Sequence, residues 1–178
     1  MATTIYTIGH STRTIEEFVA LLKQQEVSQL VDIRTVPGSR HNPQYGQKAL
    51  EGYLEEHGIH YIYQKSLGGL RPKAKELVNL GWRNQSFRNY ADYMQTDEFQ
   101  EGLEELVQLA KGKIVAIMCA EAVPWRCHRS LVGDALLVRN TKVVDIISET
   151  SVKDHTLTSF AKIDGTKITY PAVETEAE

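Results

Sequence analysis

The chain has 178 residues, enough for one domain with a buried core. Its net charge of −3 excludes a strongly basic nucleic-acid-binding protein, and its two cysteines exclude a disulfide scaffold. No apolar run approaches the roughly 20 residues that span a bilayer, and the first residues, MATTIYTIGH, lack the pattern of a signal peptide. We therefore expect a cytoplasmic protein with free thiols that does not enter a membrane.

In the first part of the chain, apolar runs alternate with helical patterns, which predicts parallel strands joined by helices. Residues 5–8 predict the first strand, 30–33 the second and 59–63 the third. A helix that begins after the capping-box residues Thr14 to Glu17 separates the first two strands, and a helix over 47–57 precedes the third.

The second part continues the alternation. Residues 87–94 and 98–109 predict two helices, and 113–118 predict the fourth strand. A helix over 129–138 and a last parallel strand over 143–147 follow. The predicted fold is α/β, a single-domain open and mainly parallel sheet with helices on both faces.

Two segments do not fit this alternation. Residues 64–87 contain three glycines, a proline and several cations, which predicts a long loop that is functional or mobile. The sequence leaves open whether this loop acts as a lid. Residues 171–178 are acidic and poor in large apolar side chains, so we expect a disordered tail after a single domain over 1–170.

Unusual polar residues follow three predicted strands. In open α/β sheets, ligands bind outside the carboxyl ends of the strands, so neighbouring strands would place these residues in one crevice. They are His10 and Ser11 after the first strand, Asp32 and Arg34 at the second, and Cys119 and Glu121 after the fourth.

Cations surround the same predicted edge of the sheet. Arg40 lies in the loop after the second strand, and Arg126, His128 and Arg129 lie where the helix after the fourth strand begins. A basic rim at a helix N-terminus favours an anionic ligand, whether a phosphate, a nucleotide or a nucleic-acid backbone.

Cys119 is the strongest candidate for a catalytic residue. It ends the apolar run 114–118, close to a helix N-terminus and several cations, which together favour the thiolate. This pattern indicates a nucleophile, although cysteine at a strand end also serves simply as a small buried residue.

The other candidate residues each have two interpretations. Glu121 and His10 could transfer protons, whereas Glu121 could instead form a salt bridge and His10 could cap a helix. His128 could act as a neutral imidazole or bond to a loop. Asp32 and Arg34 lie on the same side of the strand end, where they could orient a ligand or pin the loop.

Cys119, Cys127, His128 and His10 also form a conceivable set of zinc ligands. However, Cys127 and His128 are adjacent, and their side chains would point about 100° apart on a helix. The spacing of the two cysteines matches no common zinc pattern, so we predict no metal among the site residues.

Five motifs occur in an order that resembles a known family. They are TIGHST at 7–12, VDIR at 31–34, SRHNPQY at 39–45, LGGLR at 67–71 and MCAEAVPWRCHRSL at 118–131. The chain resembles the domain of unknown function 488 family of bacterial and archaeal proteins. The resemblance implies a compact cytoplasmic α/β domain whose signature is the turn that carries both cysteines, and it implies no particular reaction.

Three functions remain open from the sequence. The first is an enzyme that acts on a phosphorylated or nucleotide-like anionic substrate, with Cys119, Glu121 and His10 as catalytic residues. The second is a module that binds a nucleotide or nucleic acid without catalysis, and the third is a metal-binding protein. The sequence indicates no particular cofactor and no oligomeric state.

Overall fold

The computed structural model describes residues 3–37, 41–73 and 79–172, which form an open sheet of six strands. The order in the sheet is β3-β2-β4-β1-β5-β6; the first five strands are parallel and β6 runs antiparallel at the edge. The strands are β1 (Thr4–Gly9), β2 (Gln29–Asp32), β3 (His60–Tyr63), β4 (Val115–Cys119), β5 (Lys142–Ile146) and β6 (Val152–Asp154). A separate hairpin pairs β7 (Lys162–Asp164) with β8 (Lys167–Thr169).

Helices cover both faces of the sheet. They are α1 (Ile15–Gln24), α2 (Gln47–Glu56), α3 (Gln85–Tyr93), α4 (Asp97–Leu109) and α5 (Arg129–Val138). Successive residues of β4 belong to opposite cores, because side chains alternate along a strand. Ile117 packs in the core with α3, α4 and α5, whereas Met118 packs in the core with α1 and α2. None of the helices in the described residues has the length and apolar character needed to cross a membrane.

The predicted fold class is confirmed, and the predicted elements agree with the structure to within a few residues at each end. At α1, the capping box forms as expected: Thr14 Oγ1 accepts from the backbone N–H of Glu17 at 3.1 Å, and the Glu17 carboxylate accepts from Thr14 N at 3.4 Å. The predicted strands do not include β6, β7 and β8, because these are only three residues long and lack a continuous apolar run.

Part of the long predicted loop is anchored to the helical layer. A 3-10 turn over Lys65–Leu67 receives hydrogen bonds from two tyrosines, Tyr93 to the Ser66 carbonyl at 2.6 Å and Tyr90 to the Leu67 carbonyl at 2.9 Å. The guanidinium of Arg71 stacks over the Tyr93 ring at 3.6 Å. Residues 74–78 of this loop and residues 173–178 of the predicted tail lie outside the described residues.

A buried histidine ties the C-terminal segment to the sheet and to α5. His155 Nε2 lies 3.0 Å from Asp134 Oδ1, and His155 Nδ1 lies 3.1 Å from Asp145 Oδ2. The hydroxyl of Tyr170 also donates to Asp134 Oδ2, at 2.8 Å. Burial lowers the pKa of His155, but the two carboxylates outweigh it and raise that pKa to about 9. The ring is therefore doubly protonated at neutral pH and donates to both carboxylates.

This arrangement predicts a loss of stability in mild alkali. The folded-state pKa of His155 lies above the unfolded value of 6.5, so its contribution is complete below pH 6.5 and disappears as pH rises through about 9. Between pH 6 and pH 9.5, we expect a loss on the order of 1–3 kcal/mol in the free energy of unfolding, measured by urea denaturation. His155→Gln should flatten this pH dependence, and an equally steep dependence in that variant would contradict the assignment.

Candidate functional site

The candidate site lies at the carboxyl ends of three adjacent strands, in the order β2, β4 and β1. Gly9 at the end of β1 pairs with Cys119 at the end of β4, and Asp32 at the end of β2 pairs with Met118. The three strands are thus neighbours, which was the condition for their polar residues to share one edge of the sheet. A pocket of about 400 Å³ opens here, and its polar lining includes Arg34, Asn84, Ser86, Cys119, Glu121, Cys127 and His128.

Cys119 lies at the wall of this pocket and is only 2% exposed. Its Sγ accepts a hydrogen bond from Arg129 Nη1 at 3.0 Å and lies 2.8 Å from the Sγ of Cys127, which donates to it. Burial alone would raise the pKa of Cys119, but the Cys127 hydrogen bond and the Arg129 charge lower it to about 7. A large fraction of this thiol is therefore ionised at neutral pH.

Arg129 is fully buried and holds the loop that follows β4. Besides the Cys119 sulfur, Nη1 donates to the carbonyl of Glu121 at 2.7 Å, and Nη2 donates to the carbonyl of Ala122 at 3.1 Å. Both Nη1 and Nη2 of Arg129 therefore bond to the protein itself. Arg129 stabilises the thiolate and shapes the loop, while the sequence analysis had assigned it to an anionic ligand.

Gly9 leaves the space that this loop occupies. A Cβ atom at position 9 would lie 1.5 Å from the carbonyl oxygen of Glu121 and 2.5 Å from Arg129 Nη1. No side chain fits at that distance, so the glycine permits the loop and the guanidinium to pack against the end of β1.

Cys127 and His128 complete the surroundings of the thiolate. His128 Nε2 donates to the carbonyl of Ile33 at 3.1 Å, and Nδ1 lies 3.5 Å from Cys127 Sγ. Burial and the charge of Arg129 lower the pKa of His128 to about 4, which keeps the ring neutral. Burial and the neighbouring Cys119 raise the pKa of Cys127, so the Cys127 thiol keeps its proton.

Asp32 and Arg34 form a buried bidentate pair. Arg34 Nε and Nη2 donate to the Asp32 carboxylate at 2.9 and 2.7 Å, and the Tyr61 hydroxyl donates to the same carboxylate. The predicted location of both side chains on one side of the strand end is confirmed. Only Arg34 lines the pocket, and its Nη1 is buried and makes no hydrogen bond within the described part of the chain.

Glu121 and His10 both line a second pocket next to the Cys119 pocket. The exposed side chain of Glu121 borders both the Cys119 pocket and a second pocket of about 570 Å³, and it pairs with neither Arg34 nor Arg129. His10 and Ser11 line only the second pocket. His10 stacks on Tyr45 at 4.2 Å, its Nδ1 donates to the Ser11 carbonyl at 2.8 Å, and burial lowers its pKa.

Two predicted ligand contacts lie outside what the structure describes, namely Arg40 and the side chain of Arg126. Among the described residues, no group of three or more histidine, cysteine and acidic side chains is arranged to hold a metal ion. The sequence analysis missed the structural need for Gly9 and the contribution of Asn84 and Ser86 to the pocket. The last two belong to the start of α3, at the end of the long loop, far from the motif in sequence.

The close approach at Gly9 predicts the effect of a single methyl group. In Gly9→Ala, the loop carbonyl and Arg129 must move, so we expect a loss of about 1–3 kcal/mol in the free energy of unfolding and a slower alkylation of Cys119 at pH 7. Gly52→Ala is the matched control, because a Cβ at this exposed position in α2 meets nothing within 4 Å. Equal stability and reactivity of Gly9→Ala and wild type would contradict this account of the loop.

Comparisons with known proteins give one match. No curated protein and no solved structure matches the chain. The family model described as a domain of unknown function, DUF488, matches residues 14–136, more than half of the chain, and these residues include both cysteines and Arg129. The chain belongs to the DUF488 family.

Proposed function

We propose that this protein is an enzyme that acts on a small phosphorylated or nucleotide-like anionic substrate, with Cys119 as its nucleophile. One observation carries the proposal. Cys119, a thiol whose pKa is lowered to about 7, and Arg34, whose buried Nη1 has no hydrogen-bond partner among the described residues, line the same pocket of about 400 Å³. A nucleophile and an anion-binding group then face the same bound molecule.

Arg34 is the residue that would bind the anion. Asp32 uses the Nε and Nη2 atoms of Arg34 and fixes the plane of the guanidinium, which leaves Nη1 for a ligand. A buried donor without a partner is costly, and an anionic oxygen in the pocket would remove that cost. Asp32 therefore acts as a positioning residue, and Arg34 as a binding residue.

Cys119 would attack the electrophilic atom of the bound substrate. Arg129 and Cys127 stabilise the attacking thiolate, and neither needs to move for the attack because both already contact the sulfur. A covalent intermediate on Cys119 would be released by a second step with water or another acceptor.

Glu121 and His10 would transfer protons or hold more distant parts of the substrate. Glu121 lines both pockets, so its carboxylate would be the group that protonates the leaving group of a substrate attacked by Cys119. Among the described residues, the buried Nε2 of His10 has no hydrogen-bond partner, and His10 lines the second pocket with Ser11 and not the Cys119 pocket. It is therefore suited to a substrate that extends past Glu121. Arg40 and Arg126 remain proposed contacts for the anion, and His128 shapes the pocket wall.

The Arg34 assignment can be tested without knowing the substrate, by comparing an anionic with a neutral alkylating reagent. Relative to glutathione, Cys119 should favour iodoacetate over iodoacetamide by about tenfold, the effect of one charge-assisted hydrogen bond of about 1.5 kcal/mol. Arg34→Lys keeps a charge beside Asp32 but removes Nη1, so this preference should fall.

Arg139→Lys is the matched control, because Arg139 pairs with Glu104 at 3.0 Å on the surface and lines none of the pockets at the site. Inorganic phosphate should also slow the labelling of Cys119 in wild type. A preference equal to that of glutathione, with no protection by phosphate, would contradict the anion site.

Covalent catalysis is tested with 4-nitrophenyl phosphate as the probe. We expect a burst of 4-nitrophenolate equal to the enzyme concentration, and a phosphoryl group on Cys119 in the mass spectrum of the quenched protein. Cys119→Ser should show neither. If wild type is protected by phosphate but forms no adduct with this or other phosphate esters, the non-catalytic binding module is the correct interpretation.

A further inference from the structure

The proposed function does not explain why the two sulfur atoms of this site lie so close together. Cys119 Sγ and Cys127 Sγ are 2.8 Å apart, and both residues are free thiols. A disulfide bond measures about 2.05 Å, so the sulfurs must approach by less than 1 Å to bond. They come from opposite ends of one short loop, Cys119 from the end of β4 and Cys127 from just before α5.

We propose that Cys119 and Cys127 form a redox-active dithiol that reduces small disulfides and closes to an intramolecular disulfide in doing so. Cys119 is the attacking thiol and Cys127 is the resolving thiol. The proposal uses the Cys119 thiolate of the proposed function but requires neither its anionic substrate nor Arg34.

The site stabilises negative charge on either sulfur. The side chain of Arg129 donates to Cys119 Sγ at 3.0 Å, and the backbone N–H of the same residue lies 3.5 Å from Cys127 Sγ at the start of α5. As charge passes from one sulfur to the other, Arg129 therefore keeps a donor on each. The N-terminus of α5 adds a favourable dipole at Cys127.

The roles of the two cysteines differ because their surroundings differ. Cys119 accepts two hydrogen bonds, which favours its thiolate at the pocket wall. Cys127 donates its proton to Cys119, and His128 Nδ1 lies 3.5 Å from the Cys127 sulfur. Once Cys119 is bound to another group, Cys127 is the free thiol that lies beside the Cys119 sulfur.

The reaction occurs in two exchanges. The Cys119 thiolate attacks one sulfur of a disulfide R–S–S–R, a mixed disulfide forms, and the first RS⁻ leaves. Cys127 then attacks the Cys119 sulfur, its proton passes to the departing sulfur, and the second RS group leaves as RSH. The two protein thiols are oxidised to one disulfide, and R–S–S–R is reduced to two thiols. An added dithiol restores the protein by the reverse exchange.

The test uses the full chain and 4,4′-dithiodipyridine, a small neutral disulfide whose released thiopyridone is measured by absorbance. Wild type should release two equivalents, and its mass should fall by two hydrogens, with Cys119 joined to Cys127 in the peptide map. Cys127→Ser should release one equivalent and retain one thiopyridyl group on Cys119. Cys119→Ser should form no disulfide and should react at least about tenfold more slowly, because only Cys127 remains, and burial raises the pKa of that thiol.

The measurement on wild type decides the outcome, since it does not depend on the folding of a variant. A stable thiopyridyl group on Cys119, or one such group on each cysteine, would overturn the proposal. If wild type forms the disulfide but shows no preference for iodoacetate, the proposed function fails and the redox pair stands. If wild type shows the anion preference but forms no disulfide, the redox pair fails and the proposed function stands.

Discussion

The site depends on one buried guanidinium. Arg129 has no exposed surface, and its side chain bonds to the Cys119 sulfur and to the carbonyls of Glu121 and Ala122. A charge buried this deeply is costly unless it is paired and hydrogen-bonded. The partial negative charge of two carbonyls and a thiolate supplies that pairing, so the loop conformation and the ionisation of Cys119 stabilise each other. Gly9 is part of the same arrangement, since any side chain there would displace the loop.

A second buried arginine, Arg34, has a different role at the pocket. Asp32 occupies two nitrogens of Arg34 and leaves the third without a hydrogen-bond partner among the described residues, whereas Arg129 directs both of its Nη atoms to the protein. One arginine therefore sets the reactivity of the thiol, and the other remains available to a ligand. The two thiols differ in the same manner: Cys119 carries the charge at the pocket wall, and Cys127 keeps its proton between Cys119 and His128.

Much of the fold could be predicted because local sequence patterns determine the five parallel strands and the helices. These patterns are apolar runs and caps such as Thr14 and Glu17. The short strands β6 to β8 could not be predicted, since they owe their position to contacts such as the Asp134–His155–Asp145 cluster, whose members are distant in sequence. At the site, sequence order placed Cys119, Arg34 and Glu121 correctly at one edge of the sheet. It could not show that Arg129 faces inward, that His10 opens to a different pocket, or that the two sulfurs touch, because these depend on side-chain direction across the loop.

The most direct measurement is the pH dependence of Cys119 alkylation by iodoacetamide, followed by mass spectrometry in wild type and in Arg129→Met. The account predicts a midpoint near pH 7 in wild type, below the value of about 8.5 for an ordinary thiol, and a midpoint at least one pH unit higher in the variant. A wild-type midpoint at or above 8.5 would contradict the claim that Arg129 and Cys127 hold Cys119 as a thiolate. The wild-type profile decides this even if the variant does not fold.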